Sequence, residues 1–249
     1  MNKDNRAILY ALAIGDGNLH FRERTKDGKY KYTSCELRIG HGPKQKEYLE
    51  HKRDLVLGIL GGVAKIRKNT HTIKGKKYNT FSFQKTHNYF RQMHGILCKH
   101  DRKKRITPEV LSFLNVHSLA IWFMDDGTIG HNKNKAGEIT SLWFSICTQF
   151  ESVEEARLVA DWMLLKFGIE CRPYQSKGRW NVRGATQATL LLSYLIEPYM
   201  IPCMHYKIAP ATRFVFRKSA RHPQFSLGED IVRPTGNYEP VEIEDKELL

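Results

Sequence analysis

Two apolar segments that each end on an Asp-Gly step divide the chain into two similar halves. The first segment ends at Asp16-Gly17 and the second at Asp126-Gly127. The two terminal aspartates lie 110 residues apart, which suits one compact unit of helices and strands per copy. An internal duplication is therefore the strongest constraint on the fold.

The pattern after each apolar segment is also repeated. Period-two alternation around turn residues predicts hairpins, and three-to-four spacing of apolar residues predicts amphipathic helices. Each half is therefore predicted to be an αββαββα unit of an α+β fold. The first copy has strands at 18–24, 34–39, 63–67 and 78–83 with helices at 43–60 and 86–97; the second has hairpins within 128–147 and 171–183 with helices at 152–167 and 186–195.

Composition and charge set the expected domain boundaries and the expected partner. We predict an N-terminal domain at 1–100, a basic linker at 101–116, a C-terminal domain at 117–215 and a C-terminal tail at 216–249, whose acidity and low apolar content from Phe225 onward predict partial disorder. The chain carries 40 Lys and Arg against 26 Asp and Glu, a formal charge of +14. Such a surface attracts polyanions, so nucleic acid is the first partner to consider, although a basic surface can also serve solubility alone.

Cysteine usage indicates the compartment. The five cysteines are odd in number, widely spaced and never form a C-x-x-C pair, which argues against a disulfide framework and a cysteine zinc site. There is no run of 18 apolar residues and no leader-like cleavage site. We therefore expect an intracellular protein of a reducing compartment, in an organelle matrix or a prokaryotic cytoplasm, with no membrane span.

The two helix-terminal aspartates are the candidates for chemistry. Aspartate is unfavourable at a helix C-terminus, where the helix dipole is negative, so its use at Asp16 and Asp126 indicates a compensating cation. Two such ends brought together would offer carboxylates and free carbonyls, an oxygen environment that suits Mg²⁺. A plain helix stop is the alternative reading of either aspartate alone.

Strand alternation predicts which basic side chains face away from the helices. Leu19 and Phe21 point inward, so their neighbours form the opposite face. Arginine can pair bidentately with guanine, whereas lysines in the hairpin turns are suited to phosphates. Trp143 does not follow the alternation of the apolar residues beside it, so it is equally compatible with the helix-packed face and the opposite face of the sheet. The predicted DNA-contacting residues are His20, Arg22, Arg24, Arg38, Lys65, Arg67, Lys76, Arg172, Tyr174, Arg179, Asn181 and Arg183.

These motifs resemble those of single-chain LAGLIDADG homing endonucleases. The paired apolar helices carry the likeness, together with the segments WFMDDG at 122–127 and IPCMHYK at 201–207. The resemblance spans about residues 7–210. It implies two pseudo-symmetric domains joined along the motif helices, with two four-stranded sheets forming a saddle over the major groove of double-stranded DNA.

The resemblance also assigns roles to residues. It implies that Asp16 and Asp126 bind Mg²⁺ or another divalent cation such as Mn²⁺, with the carbonyls of Gly15 and Asp125 as further ligands. Lys207 matches a lysine that lies near the scissile phosphate. Its first-copy counterpart falls within 103–105, where we favour Lys104, although either neighbour remains open. The implied activity is hydrolysis of both strands at a long site by a monomer.

Two alternatives from other classes remain at this point. The first is a maturase that binds intron RNA and assists splicing without cutting DNA. The second is a non-catalytic DNA-binding regulator, for which an added helix-turn-helix after Pro210 would be expected and is not evident. The combination of Asp16, Asp126 and Lys207 favours cleavage, because a binding protein has no need for paired acids beside a phosphate backbone.

Overall fold

The structure of the 249-residue chain is a computed structural model. It describes residues 1–26, 29–98, 103–150 and 152–214, and the side chains of 22–33, 73, 148 and 149 are outside the described part. The predicted acidic tail at 216–249 also lies outside the described residues. Within the described part, every helix is too short or too polar to cross a membrane.

Each half begins with a helix and continues through two hairpins that alternate with helices. The predicted αββαββα order is confirmed in both halves. The first half contains α1 (Lys3–Ile14), β1 (Asn18–Lys26), β2 (Lys29–His41), α2 (Lys46–Leu60), β3 (Arg67–Ile73), β4 (Lys76–Thr86) and α3 (Asn88–Leu97). After the connecting helix α4 (Pro108–Phe113), the second half contains α5 (Val116–Asp126), β5 (Gly127–Lys133), β6 (Ile139–Phe150), α6 (Val153–Phe167), β7 (Cys171–Ser176), β8 (Arg179–Gly184) and α7 (Thr186–Ile196).

The strands form two antiparallel four-stranded sheets of the same topology. The order is β1-β2-β4-β3 in the first sheet and β5-β6-β8-β7 in the second. Helices α2 and α3 pack on the first sheet, while α6 and α7 pack on the second. Each sheet therefore has one face against helices and one face open, as expected for antiparallel sheets with alternating sequences.

Helices α1 and α5 lie at the centre of the molecule and pack against each other. Every residue from Ala7 to Ile14 is buried, and so is every residue from Ser118 to Met124. A helix that is apolar all round is stable only when it is enclosed on every side, which these two achieve between the two halves.

The two central helices run in the same direction. Near their N-termini, the Asn115 side chain donates to Asp4 Oδ1 at 2.8 Å, and at their C-termini the Asp16 amide donates to Asp125 Oδ2 at 3.0 Å. Asn115 also caps α5 through a capping box with Ser118. Contacts at both ends therefore fix the axial register of the pair.

Three differences from the predicted element boundaries have a clear structural cause. The strand predicted at 63–67 is wrong, because Gly61 and Gly62 adopt positive φ and pairing with β4 begins only at Arg67. Helix α3 begins at Asn88 rather than 86, since the strand β4 continues to Thr86 and the His87 side chain caps the helix. The predicted linker at 101–116 contains α4, which Thr107 caps with its side chain.

The contact between the C-terminal ends of α1 and α5 depends on Gly15. A methyl group at this position would overlap the Asp125 carboxylate. We expect Gly15→Ala to lower the free energy of unfolding by about 1–3 kcal/mol, because the carboxylate or the helix must move. Urea unfolding followed by circular dichroism measures the change.

The control is Gly58→Ala in α2, where a methyl group meets nothing within 4 Å. Since alanine favours a helix over glycine, this variant should be neutral or up to about 1 kcal/mol more stable. Equal destabilisation by the two substitutions would contradict the close approach.

Candidate functional site

The C-terminal ends of α1 and α5 meet at one point beneath the two sheets. The Asp125 carboxylate crosses from α5 to the backbone of α1, where its Oδ2 accepts the Asp16 amide at 3.0 Å. Gly15 leaves the space for this carboxylate, since any side chain there would overlap it. The two helix ends are therefore unequal. The end with the sequence Asp-Asp-Gly supplies the carboxylate, and the end with the sequence Gly-Asp-Gly supplies the space and the amide that receive it.

One lysine caps each of these helix ends. The last carbonyl groups of a helix have no partner within it, and a cation there also compensates the negative end of the dipole. Both lysines were candidates from the sequence, and they occupy equivalent places. Lys104 Nζ donates to the carbonyls of Ala13, Ile14, Gly15 and Gly17 at 2.7–3.1 Å, and Lys207 Nζ to those of Phe123, Asp125 and Gly127 at 2.9–3.5 Å.

The charges at this point perturb one another. Burial, and then the Asp125 carboxylate, raise the pKa of Asp16, although Lys52, Lys207 and Lys104 oppose the shift. Burial lowers the pKa of Lys104 and of Lys207, against the attraction of the nearby aspartates. A cation bound beside Asp16 would favour the ionised carboxylate and so oppose this shift.

A cavity of about 240 Å³ lies on one side of the paired ends. Asp16 and Asp126 both line it, together with Gly15, Lys104 and Glu155. Carboxylate oxygens are the ligands that Mg²⁺ and Mn²⁺ prefer, so the residues present fit a divalent ion. The carbonyls of Gly15 and Asp125, which the sequence also suggested as ligands, accept hydrogen bonds from Lys104 and Lys207.

A second cluster on the other side of the paired ends was not foreseen from the sequence. Ligand atoms of Asp16, His41 and Asp125 lie within 4.8 Å of one another. Lys52 contacts Asp125 Oδ1 directly, and the Tyr48 hydroxyl donates to the same oxygen at 2.8 Å. The available signal was Lys52 itself, which falls on the buried stripe of α2 with Tyr48, Leu49 and Val56, where an apolar residue is expected.

The open face of the first sheet carries several of the predicted DNA-contacting residues. His20, Arg67 and Lys76 are exposed on strands β1, β3 and β4. Arg38 on β2 is half exposed and forms an ion pair with the buried Glu36. Lys65 is exposed but precedes β3, whereas the side chains of Arg22 and Arg24 lie outside the described residues.

The open face of the second sheet carries a stacked arginine. Phe144 and Val182 are fully buried on the helix side, so their neighbours Trp143 and Arg183 lie on the opposite side. The Arg183 guanidinium lies 4.2 Å from the Trp143 ring centre and 4.8 Å from that of Tyr174. Trp143 therefore belongs to the open face.

The remaining candidates on this sheet differ in exposure. Arg172 and Arg179 are exposed at the two ends of the β7–β8 hairpin. The Asn181 side chain is almost fully buried and bonds to the Arg179 carbonyl at 3.5 Å. The hairpin therefore presents arginines and Tyr174 outward, with Asn181 beneath them.

Comparisons with known proteins agree with the motifs. The model of the LAGLIDADG DNA endonuclease family matches residues 6–192. The RecA protein of Mycobacterium shimoidei is 31% identical over 243 residues, which are 96% of this chain and 52% of that protein. The chain thus spans about half the length of this curated relative. A probable intron-encoded endonuclease of Wickerhamomyces canadensis is 28% identical over 173 residues, which are 66% of this chain and 70% of that protein.

Solved structures confirm the fold. The homing endonuclease I-WcaI bound to its DNA recognition sequence has a TM-score of 0.64 at 22% identity, with 83% of this chain and 86% of that chain covered. I-SmaMI bound to an uncleaved DNA target in the presence of calcium ions has a TM-score of 0.57 at 10% identity, with 93% and 96% covered. At these identities the likeness establishes the architecture of two pseudo-symmetric halves.

The buried imidazole of His41 makes stability depend on pH. Burial, and then the charge of Lys52, lower the pKa of His41 from its ordinary 6.5 to about 4. In the unfolded chain the His41 imidazole is therefore protonated as the pH falls below about 6.5, whereas in the folded chain it is protonated only near pH 4. The stability from this group is complete above pH 6.5 and declines by about 3 kcal/mol as the pH falls to 4.

The measurement is urea unfolding between pH 7 and pH 4 for the wild-type protein and for His41→Asn. Other groups titrate in the same window, so the informative quantity is the difference between the two proteins. The difference in the free energy of unfolding between the two proteins should shrink as the pH falls, because protonation of His41 in the unfolded state destabilises only the wild type. A difference that is constant with pH would contradict the lowered pKa.

Proposed function

Because the chain belongs to the LAGLIDADG DNA endonuclease family, we propose that it is a homing endonuclease that hydrolyses both strands of one long double-stranded DNA site. The observation that carries this proposal is the cavity at the paired helix ends, where Asp16 and Asp126 lie beside Lys104. It combines two acids and a lysine where the two halves meet, which is suited to a phosphodiester.

We propose Mg²⁺ or Mn²⁺ as the cofactor, held by Asp16 and Asp126 in that cavity. Such an ion activates water for attack and stabilises negative charge on a phosphoryl group. The protein's part is to hold the two carboxylates beneath the DNA, with Lys104 and Lys207 supplying positive charge on either side. Since both lysines are fixed to helix carbonyls, their ammonium groups are already in place before DNA binds.

The open sheet faces are the proposed DNA-binding surface. I-WcaI, which shares the fold, is bound to its recognition sequence in the solved complex. In this chain the corresponding faces carry exposed His20, Arg67, Arg172 and Arg179 together with the stacked Arg183. Because both halves are present in one chain, we propose that the protein binds DNA as a monomer.

The likeness to RecA proteins is consistent with the same activity. The family model covers residues 6–192 of this chain, and the RecA match covers 96% of it but only 52% of the relative. We infer that the shared half is an endonuclease segment carried within those RecA chains.

An RNA maturase with this fold is the alternative function. The paired acids Asp16 and Asp126 favour cleavage, because binding intron RNA does not require two carboxylates beside a phosphate backbone. The described cysteines are all free, which supports the further proposal that the protein acts in a reducing, intracellular compartment.

Loss of either acid should abolish cleavage. The target is first obtained by selecting cut sites from a randomised DNA library in Mg²⁺. On that target, Asp16→Asn and Asp126→Asn should reduce cleavage to background while DNA affinity in Ca²⁺ changes little, since each removes a metal ligand and no base contact. Plasmid linearisation and gel shift measure the two quantities.

The matched control is Asp161→Asn, which makes the same charge change at an exposed position of α6. It should cleave at the wild-type rate. Full cleavage activity of the Asp126→Asn variant would contradict the assignment of Asp126 as a metal ligand.

The stacked arginine should contribute to sequence discrimination. Its guanidinium is held by two rings, so it is oriented before it meets a base edge. Arg183→Ala should cost about 1–3 kcal/mol against the preferred base at one target position and little elsewhere. Affinities for a set of single-base target variants measure this effect.

The control is Lys135→Ala in the exposed turn between β5 and β6. A phosphate contact there would weaken binding uniformly and reduce the slope of log affinity against log salt by about 0.9. A uniform loss for Arg183→Ala would show that it touches only the phosphate backbone.

A further inference from the structure

A fully buried lysine lies beside the paired helix ends. The Lys52 side chain is completely inaccessible to solvent. A buried ammonium group is costly unless it is paired and hydrogen-bonded, so its surroundings must supply several acceptors. Lys52 therefore identifies a place where the fold requires a positive charge.

The acceptors around Lys52 are the three groups that form the possible metal cluster. Its Nζ contacts Asp125 Oδ1, lies 3.0 Å from His41 Nε2 and is 3.8 Å from Asp16 Oδ2. An ammonium group only donates, so His41 Nε2 is the acceptor and the imidazole proton is on Nδ1. That nitrogen faces Asp16 Oδ2 at 3.7 Å. The lysine thus occupies the place that an ion would take between these ligands.

The Asp125 carboxylate links Lys52 to the backbone of Asp16. Its Oδ1 accepts from Lys52 and from the Tyr48 hydroxyl, and its Oδ2 accepts from the Asp16 amide. A carboxylate held by three donors is fixed in position. The residue that carries a proposed catalytic acid is therefore anchored through its own amide.

The internal repeat gives each of these two charged residues, Lys52 and Asp125, an equivalent position in the other half of the chain. Helices α2 and α6 both have 15 residues and are followed by glycine. Lys52 is the seventh residue of α2, and the seventh residue of α6 is the fully buried Val159. At the helix ends, Asp125 corresponds to Gly15, because both precede the Asp-Gly step.

The charge pair therefore occurs once, across the contact between the two halves. Lys52 of the first half meets Asp125 of the second half, whereas the symmetry-related positions, Val159 of the second half and Gly15 of the first half, carry no charge. Gly15 has no side chain, so it cannot hold the amide of Asp126 as Asp125 holds that of Asp16. Two changes that compensate each other indicate that the charges act together.

We propose that Lys52 is a built-in cation that takes the place of a metal ion between Asp16, His41 and Asp125, and that it positions Asp16 through Asp125. The divalent ion of the proposed function is then confined to the cavity side of Asp16. Only the part that concerns catalysis rests on the proposed function; the role as an internal cation does not. The two halves consequently hold their acids unequally.

Unfolding experiments without DNA test the pairing. Lys52→Val removes the cation closest to the Asp125 carboxylate, and Asp125→Gly removes the carboxylate closest to Lys52, so each should lower Tm by roughly 5–15 °C. The double variant Lys52→Val/Asp125→Gly reproduces the uncharged arrangement of Val159 and Gly15 and should recover much of that loss. If the two single losses simply add in the double variant, the paired role is overturned.

Cleavage by the same double variant tests the positioning of Asp16. DNA affinity should remain, while the maximal rate on one strand should fall at least tenfold more than on the other. A merely structural pair would leave the ratio of the two strand rates unchanged. A ratio of the two strand rates equal to that of the wild type would overturn positioning without affecting the endonuclease assignment.

Co²⁺ binding to the DNA-free protein tests the internal cation directly. Lys52→Met should gain one Co²⁺ site, seen as a visible absorption band, and adding His41→Ala should remove that site. The wild-type spectrum should not depend on His41. If His41→Ala changes the wild-type Co²⁺ spectrum, or if folded Lys52→Met gains no site, the proposal is overturned; if Lys52→Met does not fold, the unfolding cycle decides.

Discussion

The meeting of two helix C-termini at one point is the constraint on which the rest of the structure depends. Each end presents carbonyl oxygens and the negative end of a dipole, and the pair adds the carboxylates of Asp16, Asp125 and Asp126. Three lysines offset this repulsion. Lys104 and Lys207 bind the carbonyls, and Lys52 binds Asp125. Of these three lysines, Lys52 is fully buried, so part of the basic charge stabilises the helix ends and is not available at the surface.

The sequence predicts the parts of this arrangement that repeat or alternate. The duplicated Asp-Gly steps predict the two halves, and period-two alternation predicts the inward and outward faces of the sheets. Lys104, favoured from the sequence, occupies the place equivalent to that of Lys207; the divalent cation expected between Asp16 and Asp126 stays a prediction. Each of these features follows from local patterns.

The features that sequence reasoning missed depend on long-range contacts. Tyr48 and Lys52 meet Asp125 across more than 70 residues, and nothing local in either segment indicates the other. Asn181 has the alternation of an outward residue but is covered within the hairpin. The strand expected at 63–67 fails because strand formation needs a paired neighbour, which begins at Arg67.

The unequal surroundings of Asp16 and Asp126 distinguish the two sides of the centre. On one side, the ammonium group of Lys52 lies between the side chains of Asp16, His41 and Asp125. On the other side, the two candidate catalytic acids, Asp16 and Asp126, line an open cavity. The most direct measurement is anomalous scattering from Mn²⁺ in crystals of the DNA complex. The account predicts Mn²⁺ in the cavity within ligand distance of Asp16 and Asp126, with Lys52 still bound to Asp125. Mn²⁺ bound to His41 and Asp125, with Lys52 displaced, would contradict it.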